Sequence, residues 1–446
     1  MLRAAVVVCL LALSAPARAE STKPTLPTDA TLNALIEESL SVRPELAQAK
    51  AVARANEERV SQAGALPDPM LQIGIQNDGF RGIEIGKMET SFVSLMAAQT
   101  FPWPGKLRLR EQGAKIGARQ TQKAILRVLL STEADVRRAY LDLVLTRDRL
   151  VLQSELERIW QRALGVASVR YASGSGSQTD VLRAQLESTR SQQRRLALEA
   201  REQAQIRALN RLRAHRLDQA IDTSQTHVRD LTALEPFAVL FSGERAVAQS
   251  PELAAAKLAE SRAQSNLSLA EQGYYPDLTL SAGIMYRGQL PPMWLATIAG
   301  PLPIFAGSKQ NRALAENAAW LRAAKSEETA IQQLLRLRSE ERRLAFQSLR
   351  QTIELYQRTL LVESAATNES ALTQYAIGKL AFASVLEANA GYIADQEGFL
   401  ESVAAAQRLL IAEAELNLSE SPMPLPGASS SSMTPSGEDD AASPSM

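Results

Sequence analysis

Few residues in this 446-residue chain could do chemistry. It holds two histidines, His215 and His227, and one cysteine, Cys9. Isolated histidines without cysteine partners lack the spacing of a zinc site, and both read as surface residues near mid-chain. No nucleophile–base pair and no glycine-rich phosphate loop is present, so neither an enzyme nor a cofactor is expected. Lys+Arg and Asp+Glu number 49 each, which excludes the basic excess of a nucleic-acid binder. What recurs is a conformational device: Tyr171-Ala172-Ser173-Gly174 and Tyr375-Ala376-Ile377-Gly378. Each ends a long helical stretch on a glycine, the residue that accepts φ > 0 at a chain reversal. Asp180 follows the first turn, where its carboxylate could cap the returning helix.

The elements around these turns begin after a leader. Met1-Leu2-Arg3, the apolar run Ala4 to Leu13 and the small-x-small site Ala17-Arg18-Ala19 read as a signal peptide over residues 1–19. The chain is thus expected to be exported. Cys9 lies inside that leader, too far from the cleavage motif to serve as a lipid anchor. The mature chain then offers neither a thiolate nor a disulfide. No later run of ~20 apolar residues could span a membrane as a helix. Aromatics are only 5%, while Ala, Leu, Gln, Glu and Arg dominate, a long-helix composition. Residues 418–446 are rich in Ser, Pro and Gly, and a disordered tail is expected there.

The chain reads as a duplication. Pro44-Glu45-Leu46-Ala47 matches Pro251-Glu252-Leu253-Ala254, and Val181-Leu182-Arg183-Ala184 matches Val385-Leu386-Glu387-Ala388. The matches keep their order, giving repeats over 29–213 and 244–417 joined by a linker, 214–243. Each repeat predicts a helix (Ala30 to Gly64; Glu244 to Gln272), a strand pair (69–101; 276–301) and a helical hairpin. The outward helices are expected over Lys106 to Tyr171 and Lys309 to Tyr375. At ~1.5 Å per residue they would reach roughly 100 Å. Leu129, Val136, Leu143 and Leu150 fall at heptad spacing, a coiled-coil seam.

The strands carry the strongest constraint. Leu71, Ile73 and Ile75 alternate with Gln72, Gly74 and Gln76. Leu278, Leu280 and Ile284 alternate with Thr279, Ser281 and Gly283. The aliphatic set suits lipid and the small polar set a wet lumen. The second strands are expected over Ser91 to Thr100 and Trp294 to Gly300. Phe101, Trp103, Tyr274, Tyr275 and Trp294 sit where an aromatic girdle would lie. Four strands of ~10 residues cannot close a barrel, and lipid does not tolerate an open edge. Three chains would pool twelve strands, enough to hold a lumen.

These parts resemble the TolC-like outer-membrane efflux protein family over nearly the whole mature chain. The resemblance rests on Ala65-Leu66-Pro67-Asp68-Pro69, Phe101-Pro102-Trp103-Pro104-Gly105-Lys106 and the paired Tyr-x-x-Gly turns. The first two motifs are most similar to the branch that serves heavy-metal (cobalt–zinc–cadmium or copper–silver type) pumps. The resemblance implies a mixed α and β fold: a homotrimer with a twelve-stranded transmembrane β-barrel in the outer membrane and an α-helical coiled-coil barrel in the periplasm. It also implies a periplasmic adaptor (membrane fusion protein) and an inner-membrane pump of the proton-driven RND type. The adaptor-contacting tips would be Gly174, Ser175, Gly378, Lys379 and Leu380. The lumen constriction would fall at Asp180, Ser384 and Glu387, where the carboxylates of Asp180 and Glu387, repeated threefold, would favour cations. Relatives can carry an acid where Ser384 stands and a base where Leu380 stands, so the latch is expected to differ. Two other readings of the same parts are a type I protein-secretion duct and a soluble periplasmic coiled-coil protein or adaptor.

Overall fold

A computed structural model describes residues 29–418. The expected signal peptide and the tail beyond Leu418 lie outside the described residues. The first repeat opens with α1 (Ala30–Val42) and α2 (Pro44–Gly64). The second opens with α5 (Gly243–Gln249) and α6 (Pro251–Glu271). One continuous helix was expected in each place, and proline divides both. The residue before a proline is pushed out of the α region. Arg43 and Ser250 duly share the same extended backbone, φ −65° and ψ 121°.

Between these helices and the hairpins lie the strands: β1 (Met70–Gln76), β2 (Phe92–Phe101), β3 (Leu278–Arg287) and β4 (Leu290–Ala299). They form one antiparallel sheet in the order β1-β2-β3-β4. β4 starts four residues before the expected Trp294. The turn is only Gly288-Gln289, with Gly288 at φ +62° supplying the positive angle of a two-residue hairpin. Pro291 and Pro292 concealed this strand in the sequence. They are accommodated because β4 is an edge strand and because its pairing with β3 is broken by an irregularity between Met285 and Arg287, opposite the two prolines. Trp294 is therefore mid-strand, opposite Ile284, and not at a strand end.

The hairpins are α3 (Lys106–Ala172) with α4 (Gln178–Leu212), and α7 (Gln310–Leu355) with α8 (Leu361–Ala376) and α9 (Phe382–Glu415). A π turn over Tyr356–Leu360 joins α7 to α8. No glycine or proline in this stretch marks it. Its Tyr356 leans toward Gly398 on α9, where an added Cβ would come within 2.4 Å of the tyrosine oxygen.

The main core lies mid-length, where both hairpins meet the linker. Val136 and Leu143 of the expected seam are buried there against Phe346, Val403 and Leu410, with Val228 and Leu234 of the linker closing it. The linker is held by side chains. Asp148 is 1% exposed; its Oδ2 accepts from Val228 N–H at 2.7 Å and its Oδ1 lies 2.7 Å from His227 Nδ1. His227 is thus a structural anchor. His215 likewise contacts Gln219 at 2.8 Å. Among the described residues no group of three or more His, Cys, Asp or Glu is placed to hold a metal.

Candidate functional site

The two hairpin turns lie together at one end of the helical stack, and they are built alike. Gly174 has φ +76° and Gly378 has φ +80°. Gly174 N–H bonds to Tyr171 O, and Ser175 N–H to Arg170 O. In the second turn Gly378 N–H bonds to Tyr375 O, and Lys379 N–H to Gln374 O. Each is a Schellman closure: the two amides past the helix end satisfy carbonyls of its last turn. Nothing lies within 4 Å of a Cβ built on Gly174, so glycine is required there by its backbone angle and not by crowding. Ser175 and Lys379 are exposed, and Leu380 is half-buried.

The returning helices begin differently. Ser177, not Asp180, caps α4; its hydroxyl accepts from Thr179 N–H at 3.1 Å. Asp180 sits in the first turn, where a carboxylate also suits the positive end of the helix. Its Oδ2 accepts a hydrogen bond from Tyr375 Oη at 3.0 Å, across from the other hairpin. Tyr375 is in turn covered by Arg170, whose guanidinium lies 4.6 Å from the ring centroid. Arg170 Nη1 donates to Tyr375 O, and Nη2 donates to Ser175 O at 2.9 Å. Burial, then the Asp180 hydrogen bond and charge, push the Tyr375 hydroxyl up to about 12, so it stays a donor at any physiological pH. Phe382 packs edge-on to Tyr375 at 5.2 Å, over Trp160, Ala167 and Val385.

This Arg170–Tyr375–Asp180 latch joins the two hairpins of one chain. Sequence reasoning singled out Asp180 and the Tyr-x-x-Gly motif but missed Arg170. The available signal was asymmetry, since the matching residue in the second repeat is Gln374. Ser384 and Glu387 do not join the latch. They line a groove between α8 and α9 of about 720 Å³, together with Leu380, Glu363 and Asp395.

At the opposite end the sheet sets alternate residues on opposite faces. Register places Ile73, Leu95, Ile284 and Trp294 in one cross-strand row. Leu71, Ile75, Leu278 and Leu280 fall on that same face, and Leu71, Ile73, Ile75, Leu280 and Ile284 are exposed. On β3 the residues of this face are exposed from Leu280 to Tyr286, while Thr279, Ser281, Gly283 and Met285 between them are partly covered. On the two central strands, β2 and β3, the small polar face is therefore the more covered one. Thr100 and Thr279 hydroxyls meet there at 2.9 Å, and Ser281 and Thr297 at 2.5 Å.

The sheet joins the helices through a knot of the two repeats. Lys106 Nζ donates to Asp277 Oδ1 and to Tyr275 O, both at 2.7 Å. Trp103 stacks on Tyr275 at 4.9 Å. Two of the expected girdle aromatics thus form the hinge between strands and hairpins.

The family model "Outer membrane efflux protein" matches residues 35–215. Among curated proteins no sequence matches. Solved structures do. A membrane protein from Pseudomonas aeruginosa superposes with a TM-score of 0.74 at 18% identity, over 88% of this chain and 93% of that one. The outer membrane protein VceC from Vibrio cholerae gives 0.70 at 19% identity, over 87% and 96%. CusC, described as forming a transmembrane channel, gives 0.68 at 16% identity, over 88% and 93%. The chain has the fold of these outer-membrane channels: a mostly helical protomer that contributes a four-stranded antiparallel sheet.

Proposed function

We propose that this chain, having the fold of an outer-membrane channel protomer, is one third of the exit duct of a tripartite efflux system. The observation that carries the reading is the sheet. It has four strands, two open edges, an exposed aliphatic face and an opposite face that mixes small polar residues with methionines and is more covered on the two central strands. An isolated sheet of that kind is unstable in lipid and prone to aggregate in water. Three copies close it into twelve strands, with the aliphatic face toward lipid and the polar face toward a lumen.

The rest follows from that placement. The barrel sits in the outer membrane and the hairpins reach some 100 Å into the periplasm. The two turns of each protomer then present six tips to a periplasmic adaptor and, through it, to an inner-membrane pump of the RND type. Gly174, Ser175, Gly378, Lys379 and Leu380 are the contact points. Asp180, Ser384 and Glu387 border the narrow end of the tunnel. The duct is passive: the pump supplies the work. Heavy-metal cations are the cargo favoured by the Pro67–Pro69 and Phe101–Lys106 motifs.

Membrane fractionation with cross-linking tests the reading. The expected product is a detergent-stable trimer in the outer membrane. A monomer in the soluble periplasmic fraction overturns it.

A further inference from the structure

The methionines of this protein are not scattered. The chain has nine, and the five among the described residues are Met70, Met88, Met96, Met285 and Met293. All five lie in the sheet or its first loop, and the long helices hold none. Four are in strands, one on each: Met70 on β1, Met96 on β2, Met285 on β3 and Met293 on β4.

Register puts these four on one face. Met285 pairs directly with Met293, and Met285 also pairs with Ser94, two residues from Met96. Met96 pairs with Gln72, two residues from Met70. The four side chains therefore form one diagonal stripe across all four strands. Direct neighbours stand ~5 Å apart and diagonal ones ~7–8 Å, within converging reach of long side chains. The face is the one that is more covered on β2 and β3. Met96 lies over Gly283, where a Cβ would come within 2.4 Å of Met96 Cγ.

Methionine commonly fills irregular gaps in cores. These positions are not a core: Met70 and Met293 are exposed, and Met96 and Met285 are half-covered. A wet channel face gains little from an apolar thioether unless the sulfur is used. Thioethers are soft ligands that select monovalent copper and comparable soft cations over Zn²⁺, Mg²⁺ or Ca²⁺. One charged neighbour opposes a cation. Arg287 Nη1 donates to Met293 Sδ at 2.8 Å, at the outer end of the stripe. It would weaken holding at the exit, as release from a conduction path requires.

We infer that Met70, Met96, Met285 and Met293 form a thioether stripe that binds soft monovalent cations, Cu(I) or Ag(I), in transit through the barrel. The inference deepens the proposed function, because it takes the face of the stripe as the lumen. It predicts soft-cation binding by the full-length trimer in detergent, with no pump present. Silver is titrated and bound metal measured by mass spectrometry after gel filtration, which reports the trimer separately. The wild type should bind Ag(I) saturably, and Zn(II) should not compete. M96L with M285L keeps apolar bulk and should weaken binding by about tenfold or more, a change of ~1.4 kcal/mol. M88L, in the loop, should bind as wild type. Saturable binding unchanged in the double variant, or none in the wild type, overturns the stripe. If the double variant fails to form trimer, peroxide footprinting of the wild type decides. Ag(I) should protect Met96 and Met285 more than Met88, and equal oxidation overturns the proposal. A wild-type chain that runs as a monomer fails the channel reading instead.

Discussion

The two repeats share a backbone plan but divide the labour between them. Their tips close through the same hydrogen bonds and near-equal glycine angles. Their side chains part company. Tyr375 is 1% exposed beneath Arg170, while its counterpart Tyr171 is 50% exposed. Trp103 is stacked on Tyr275, while Leu302, Ile304 and Phe305 at the matching end of the second strand pair are bare. α3 runs unbroken, whereas the second hairpin carries a π turn. At an offset of 204 residues, buried Leu209 is replaced by buried Glu413. The difference teaches where the protomer ends. Surfaces satisfied at the junction of the two repeats are left open at its outer edges, where a second copy would supply the missing repeat.

The largest test of that asymmetry is Glu413. Its carboxylate is bound by Ser339 Oγ at 2.8 Å and Arg342 Nη1 at 3.3 Å. Removing one member of a buried pair costs about 3–5 kcal/mol. Glu413→Leu, which restores the residue type of the first repeat, should therefore lower the temperature at which the trimer dissociates. Unchanged dissociation would mean the two positions are interchangeable after all. A pH effect accompanies it. Burial holds the Glu413 carboxyl above the usual range, more than Ser339 and Arg342 lower it. The folded state then keeps its proton to higher pH than the unfolded chain does. This group's contribution falls as pH rises through that interval and is flat beyond it. Glu413→Gln should flatten that part of the stability profile.

Next in size is the sheet face. In the proposed barrel Leu280→Arg would place a charge in lipid and should cost about 2–4 kcal/mol per site at mid-bilayer. There Thr279→Arg, one residue away, would face water. Trimer should be lost in the first variant and kept in the second. Equal yields would reverse or erase the assigned faces.

Smaller still is the strain at the tips. Gly174→Val and Gly378→Val force a β-branched residue to φ above +70°, about 1–3 kcal/mol each. Efflux-dependent resistance should fall while the heat-modifiable trimer persists, since the barrel lies at the other end of the stack. Because the turns match, the two single variants should behave alike. A strong effect from one alone would show that the repeats meet the adaptor differently.

The smallest effect separates the two tyrosines. Tyr375→Phe deletes the hydrogen bond to Asp180, worth about 0.5–1.5 kcal/mol. Tyr171→Phe deletes no such bond among the described residues. Single-channel conductance in bilayers should rise in the first variant by more than in the second. Equal conductance would mean the latch does not hold the tunnel narrow.

Much of this architecture was legible because it is periodic. Alternation of Leu71, Ile73 and Ile75 with Gln72, Gly74 and Gln76 fixes two faces whatever surrounds them, since successive strand residues point oppositely. Tyr-x-x-Gly marks a helix end because only glycine accepts the left-handed angle cheaply. The duplication marked the order of helix, strand pair and hairpin in both halves. Other features depended on what lies opposite, and no local pattern encodes that. Pro291 and Pro292 hid a strand that its edge position and a local break in the pairing with β3 together permit. Asp180 could have capped its helix in isolation, but Ser177 does so, and Tyr375 from 195 residues away claims the carboxylate. The methionine stripe is invisible along the chain, where Met96 and Met285 are far apart. It exists because a crossover through an entire helical hairpin lays β3 beside β2 in one particular register. Sequence alone determined the period, the turns and the faces, which are short-range consequences of backbone geometry. Tertiary structure decided the partners, because a long-range contact is set by how whole elements pack.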